Sequence, residues 1–284
     1  MNRLTTKDRA HILHLLCEGS SIRAVTRVTG ASKNTVTKLL VDAGRACTEY
    51  QDRVFKNLPC KRIQVDEVWS FVGAKAANAN PAKKAAGEQG DCWTWTSICA
   101  DTKLMPSWLV ADRSADSALE FMLDLQGRLA NRVQLTSDGH GAYLSAVEGA
   151  FGDDIDYAML VKVYGRTSET EQRRYSPPPC IGAIKGRVKG NPDPEHVSTS
   201  YAERQNLNIR MHTRRFTRLT NAFSKKVENH ALAVALFAMY YNFVRIHKTL
   251  RVTPAMAANV ADRLWEVSDI VQALEAWEHS AAAV

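Results

Sequence analysis

The sequence predicts an α/β protein in which a mixed five-stranded sheet with flanking helices follows an all-α helix-turn-helix unit. Three observations predict it. Through residues 1–45, apolar residues recur at helical spacing, with hydroxyl residues placed to cap each run. From Ile63 the apolar period becomes two, and three strand-like runs follow one another with turns between them. Beyond residue 115, helical and strand-like runs alternate, as crossover connections require. The chain has 284 residues, enough for one large domain and one or two small ones, and 45% of it is apolar, as in a folded protein.

The first helix is expected from Thr6, with Ile12, Leu13, Leu15 and Leu16 inward, ending at Gly19. Ser21 caps a second that carries Ile22, Val25 and Val28. After the Gly30-Ala31-Ser32 turn, Ser32 caps a short third helix with Val36, Leu39 and Leu40 inside. Helix, glycine turn, helix is the helix-turn-helix pattern, and Lys33, Asn34, Thr35 and Lys38 suit base edges and phosphates. A plain three-helix bundle is the rival reading. Residues 46–60 read as a polar linker.

Strands follow at 63–72, 92–100 and 105–110, then a helix at 116–129 and a short strand at 133–136 that ends in Ser137-Asp138-Gly139-His140. A helix at 143–151 and a fifth strand at 157–163 complete the sheet. This order matches the RNase H-like fold, placed over residues 61–215. Residues 164–198, with Pro177-Pro178-Pro179 and Lys/Arg throughout, read as a mobile, basic, DNA-facing loop. The C-terminal region, 216–284, is helical: one helix opens at Ser224 and runs through Val244, another starts at Thr253-Pro254, and a third covers 268–278.

The formal charge is +7 and the pI near 9.1, which points to an acidic partner. From Thr199 to Arg251 ten Lys/Arg face two Glu, a net of +8. Arg204, Arg210, Arg214, Arg215, Lys225 and Lys226 are expected to track phosphates. The six cysteines form no CxxC pair, so neither a zinc ribbon nor a small disulfide scaffold is supported, and they read as reduced thiols. The longest apolar run, 231–241, is too short to span a bilayer, so no membrane partner is expected and a cytoplasmic location is.

Within the basic stretch stands Glu203, three residues after Ser200, a capping-box spacing that taken alone describes a capped surface helix. Its setting suggests more. In the predicted sheet the first and fourth strands are neighbours, so Asp66 and Asp138 meet at one end and the last helix brings Glu203 to them. Three such acids repel unless cations neutralise them, and hard oxygen ligands favour Mg²⁺ or Mn²⁺, in a pair suited to phosphodiester chemistry. Glu67 is set aside as a ligand because alternation points it away from Asp66. His140 is within reach of a scissile phosphate, or of a local turn bond.

Asp-Glu-Val-Trp (66–69), Ser-Asp-Gly-His (137–140) and Tyr-Ala-Glu-Arg-Gln-Asn (201–206) resemble the three catalytic blocks of DDE transposases. The tail from Phe223-Ser224-Lys225-Lys226 through Tyr241-Asn242-Phe243 to Thr253-Pro254-Ala255 resembles the first-discovered bacterial insertion sequence family, insertion sequence one. The resemblance implies Mg²⁺-dependent cleavage at an element's 3′ ends and strand transfer into target DNA, with Asp66, Asp138 and Glu203 as metal-binding acids. It implies double-stranded DNA as partner, inverted-repeat ends bound by residues 1–45, and a homo-oligomer of at least two copies. The alternatives are a metal-dependent nuclease of the same fold and a catalytically inactive DNA-binding regulator.

Overall fold

The structure, a computed structural model, describes residues 4–165, 178–217 and 220–282. Three helices open it: α1 (Thr6–Cys17), α2 (Ile22–Thr29) and α3 (Lys33–Val54). Each begins at a hydroxyl that accepts an otherwise orphaned first-turn N–H: Thr5 from Asp8, Ser21 from Ala24 and Ser32 from Thr35, each at 3.1 Å. β1 (Arg62–Val72) follows, then the short α4 (Pro81–Ala85), β2 (Gly90–Cys99), β3 (Trp108–Ala111) and α5 (Ala115–Arg128). Next come β4 (Gln134–Ser137), α6 (Ala142–Phe151), β5 (Asp156–Tyr164) and β6 (Cys180–Lys189). The C-terminal helices are α7 (Ser200–His212), α8 (Val227–Met239), α9 (Pro254–Ala257) and α10 (Val267–Ala282).

The sheet is mixed and has six strands in the order β3-β2-β1-β4-β5-β6. β1 to β3 pair antiparallel, β4 lies parallel to both β1 and β5, and β6 runs antiparallel to β5. Helices flank both faces. Val65 and Trp95 join Phe121 of α5 and Tyr143 of α6 in the larger core; Val68, on the other face, packs with Ile209 of α7 and Val234 and Phe237 of α8. Among the described residues no helix is long and apolar enough to cross a membrane. All six cysteines are free, five of them buried.

Four expectations need correction. The sheet has six strands rather than five, because β6 occupies part of the stretch read as a mobile loop. Its side chains are almost all exposed, so no apolar alternation marked it. Residues 166–177 of that stretch lie outside the described residues. The expected linker over 46–60 is helical as far as Val54, so the third helix is long. Its Gly44, Cys47 and Gln51 are buried, and a Cβ on Gly44 would lie 2.6 Å from Leu232 Cβ and 2.6 Å from Leu232 O. Gly44 thus permits close approach of α3 to α8 instead of breaking a helix. The third strand is shorter than read, leaving Met105 buried ahead of it. Finally, Ser224 opens no helix; α8 starts at Val227.

Ser224 is instead part of a buried polar chain. Its Oγ accepts from Arg215 Nη1 at 2.7 Å and lies 3.0 Å from His230 Nδ1, while His230 Nε2 lies 3.0 Å from Ser70 Oγ on β1. Burial, with the Arg215 charge second, pulls the His230 pKa from its ordinary 6.5 down to about 3. Between those values the unfolded chain binds a proton that the folded chain refuses. The stability is therefore complete above about pH 6.5 and drains away as pH falls towards 3, at up to about 1.4 kcal/mol per pH unit. From pH 7 to pH 5 this site is expected to remove about 2 kcal/mol. Urea unfolding of wild type and His230→Gln at both pH values checks it; equal pH dependence in the two proteins would refute the assignment.

Candidate metal centre and nucleic-acid interface

The parallel pairing of β1 with β4 sets the first two acids side by side. The register places Gln64 opposite Thr136, and β4 stops at Ser137, so Asp138 emerges beside Asp66 just beyond the last paired residues. Asp138 Oδ1 accepts the His140 backbone N–H at 3.0 Å, an Asx turn that fixes its carboxylate. Asp66 Oδ1 turns back to accept the Glu67 N–H at 2.8 Å. That turn brings consecutive carboxylates together, and one oxygen each from Asp66, Glu67 and Asp138 lie within 4.8 Å of one another.

Glu67 does point away from Asp66, towards Tyr143 and Arg113, as alternation expects, yet one of its oxygens still comes within reach of Asp66 and Asp138 because the Asp66 carboxylate bends along the chain. Glu67 is buried, ion-paired to Arg113 Nη2 at 2.5 Å and accepting from Tyr143 Oη at 3.0 Å. Burial foremost, then the charges of Glu67 and Asp138, push Asp66 up to about 7, with Glu203 adding to the effect. Burial and Asp138 also raise Glu67, against the pull of Arg113 and Tyr143. Such a cluster resists full ionisation until a cation neutralises it, and an all-oxygen donor set fits a hard divalent ion such as Mg²⁺ or Mn²⁺.

The helix carrying Glu203 docks by an unexpected cap. Ser200 closes no capping box: the preceding Thr199 makes no side-chain cap bond, and Ser200 Oγ instead accepts from Ser198 at 3.0 Å. Gln64 of β1 replaces it, its Oε1 accepting the N–H groups of Tyr201 at 2.7 Å and Ala202 at 3.3 Å. A side chain from the neighbouring strand thus satisfies the orphan donors and pins α7 to β1. One consequence is that Asn206 Nδ2 donates to Asp66 Oδ2 at 2.9 Å. Both oxygens of Asp66 are thereby held. Glu203, on the same face one turn earlier, stands outside the cluster of three; it pairs with Lys162 Nζ of β5 at 2.5 Å and accepts from Thr199 Oγ1 at 2.6 Å.

The expected DNA-contacting residues divide by exposure. Lys33, Asn34, Lys38, Arg204, Arg214, Lys225 and Lys226 are exposed, while Thr35, Arg210 and Arg215 are half-buried. Lys38 pairs with Asp42, and the Arg215 guanidinium is engaged by Ser224. A cleft of about 460 Å³ between the N-terminal helices and the α7–α8 region gathers Arg23, Lys33, Arg214 and Lys225, which lie far apart in sequence. Arg218, one of the ten Lys/Arg counted between Thr199 and Arg251, lies outside the described residues. The His140 ring lies against Trp95 and Tyr143, with centroids 5.8 and 5.9 Å away, and its Nε2 is buried with no hydrogen-bond partner among the described residues.

No family model matches the chain, and no curated protein matches it in sequence. Among solved structures it is similar to a piggyBac transposase synaptic complex with hairpin DNA, determined by cryo-electron microscopy. The identity is 10% and the TM-score 0.40, over 96% of this chain and 71% of that one. A likeness of that degree is too slight to assign a fold or an activity.

Proposed function

We propose that the chain is a DDE-type transposase of the insertion sequence one kind, with an RNase H-like catalytic unit. The observation that carries the reading is the meeting of Asp66 and Asp138 at the adjoining ends of β1 and β4, beneath the helix that bears Glu203 and Asn206. The motif resemblance and the strand order support the same reading. Residues 1–45 would act as a helix-turn-helix on element ends, and a dimer would hold two ends together.

Asp66, Asp138 and Glu203 would hold two divalent ions, Mg²⁺ or Mn²⁺, with Glu67 as a further acid beside them. When bound, these supply Lewis-acid activation of the attacking oxygen and charge neutralisation on the leaving one. The residues' own task is placement. Asn206 and the Glu67 N–H hold the Asp66 carboxylate, and Gln64 holds the helix that carries Asn206. Lys162 holds Glu203, and an incoming phosphate would compete for that ammonium and free the carboxylate. In the first reaction a water oxygen bonds to phosphorus and the element's 3′ oxygen leaves as a hydroxyl. In the second, that hydroxyl bonds to a target phosphorus and displaces the target's 3′ oxygen. Exposed Arg204, Arg214, Lys225 and Lys226 would follow the backbone without reading sequence.

The test is strand transfer into plasmid of a duplex carrying the DNA that flanks the protein's own reading frame, with Mg²⁺, with Mn²⁺ and with chelator. Metal-dependent joining, lost on chelation and in Asp138→Ala with DNA binding retained, is the expected result. Cleavage without joining would replace the reading with a nuclease. Binding without chemistry would replace it with a regulator.

A further inference from the structure

The face of β1 that carries Glu67 continues outward through Trp69 and Phe71. Cross-strand pairing puts Trp95 opposite Glu67 and Trp93 opposite Trp69. Trp95 is fully buried against Phe121 and Tyr143, but the next residues out, Trp69, Phe71 and Trp93, are half-buried. A bridge between Val72 and Ser224 brings in a fourth half-buried ring, Phe223, from a distant segment. Ring centroids lie 5.9 Å apart for Trp69 and Phe71 and 5.1 Å apart for Phe71 and Phe223. Two cations lie over the shelf: Arg113 Cζ is 4.5 Å from the Trp93 centroid and Lys75 Nζ 5.8 Å from that of Trp69. Arg113 also binds Glu67, so the shelf begins where the acid cluster ends. Asp91, opposite Phe71, turns its carboxylate to the Ala76 N–H at 2.9 Å.

A row of half-buried rings with two cations along it suits one class of ligand. Unpaired nucleotides present a flat base and a phosphate at each step, whereas the bases of an intact duplex keep their faces covered. Stacking is indifferent to base identity, since every base has a π-face. We propose that this shelf binds unpaired nucleotides of a DNA end, stacking their bases on Trp69, Phe71 and Phe223 while Lys75 and Arg113 take phosphates. The proposal rests on the transposase reading for the DNA end but concerns binding alone. It gives the protein a means of holding a frayed or cut strand next to the acids.

Anisotropy of a labelled single-stranded oligonucleotide and of a fully paired, GC-ended duplex, without divalent metal, tests it on the full chain. Stacking is worth about 1–3 kcal/mol per base, so Trp69→Leu and Phe223→Leu should each weaken single-strand binding about tenfold and leave duplex binding within about twofold. Leucine keeps apolar volume, and thermal melts report whether each variant is folded. If Trp69→Leu does not fold, Phe223→Leu, whose residue lies in the loop before α8, decides alone. Parallel losses on both DNAs, or no loss on either, would overturn the shelf. Failure of the transposase reading looks different: single-strand binding stays sensitive to Phe223→Leu while the unaltered protein joins no ends.

Discussion

Asp66→Asn is expected to lower metal-dependent cleavage and joining by roughly a thousandfold, with DNA binding and fold retained. Charge stabilisation by divalent ions is worth several kcal/mol in such reactions, and each 1.36 kcal/mol is tenfold in rate. The amide keeps the size of the carboxylate but has a single acceptor oxygen, which can keep the Glu67 N–H bond of 2.8 Å; the Asn206 amide, which now donates at 2.9 Å, must turn over to accept from the new NH2 group. The substitution removes the anion. Removing one of three crowded charges also relieves repulsion, so thermal stability should hold or rise, which separates a chemical loss from an unfolded one. Single-turnover cleavage at saturating DNA, beside a melting curve, gives both readouts. Residual activity within tenfold of wild type would remove Asp66 from the site. Glu203→Gln should cost a similar factor; if Glu67→Gln does so instead, the third ligand is the acid already in the cluster.

How far the site was legible depended on whether its geometry was local. Asp66 and Asp138 were readable because strand period, turn chemistry and element order each act over a few residues. Asn206 shared a face with Glu203 by helical spacing, but its partner lies on β1, 140 residues away, and nothing in the sequence pairs them. The same holds for Gln64, whose carbonyl takes the place of the expected serine cap on α7. The nearness of Glu67 to the other two acids is not legible, because alternation fixes where a side chain starts and not where its carboxylate ends. The helical half of the expected linker is not legible because Gly44 suits a break as well as a tight helix contact, and only the partner, Leu232, decides between them. β6 is hidden for the opposite reason: with its side chains almost all exposed, it is specified by backbone pairing to β5, which leaves no apolar pattern.

Trp95→Ala is expected to destabilise the fold by about 3–5 kcal/mol, the range for deleting a large buried ring. Trp95 is fully buried in β2, and its ring centroid lies 6.1 Å from Phe121, 5.4 Å from Tyr143 and 5.8 Å from His140. Its Nε1 donates to the Asp112 carbonyl at 3.0 Å, at the turn that leads to Arg113. The cavity would therefore open between the sheet and both α5 and α6, with little freedom to collapse because three aromatic neighbours are already packed. Against a total stability of about 5–15 kcal/mol such a loss leaves a marginal protein. The effect should reach the acids as well, since Tyr143 Oη donates to Glu67 and Arg113 pairs with it. Urea unfolding should show a lower midpoint with an unchanged slope. Trp95→Phe, which keeps most of the ring volume and loses the N–H, should cost much less. A loss below about 1 kcal/mol for Trp95→Ala would mean that the layer between sheet and helices repacks freely, and that the acid cluster does not depend on it.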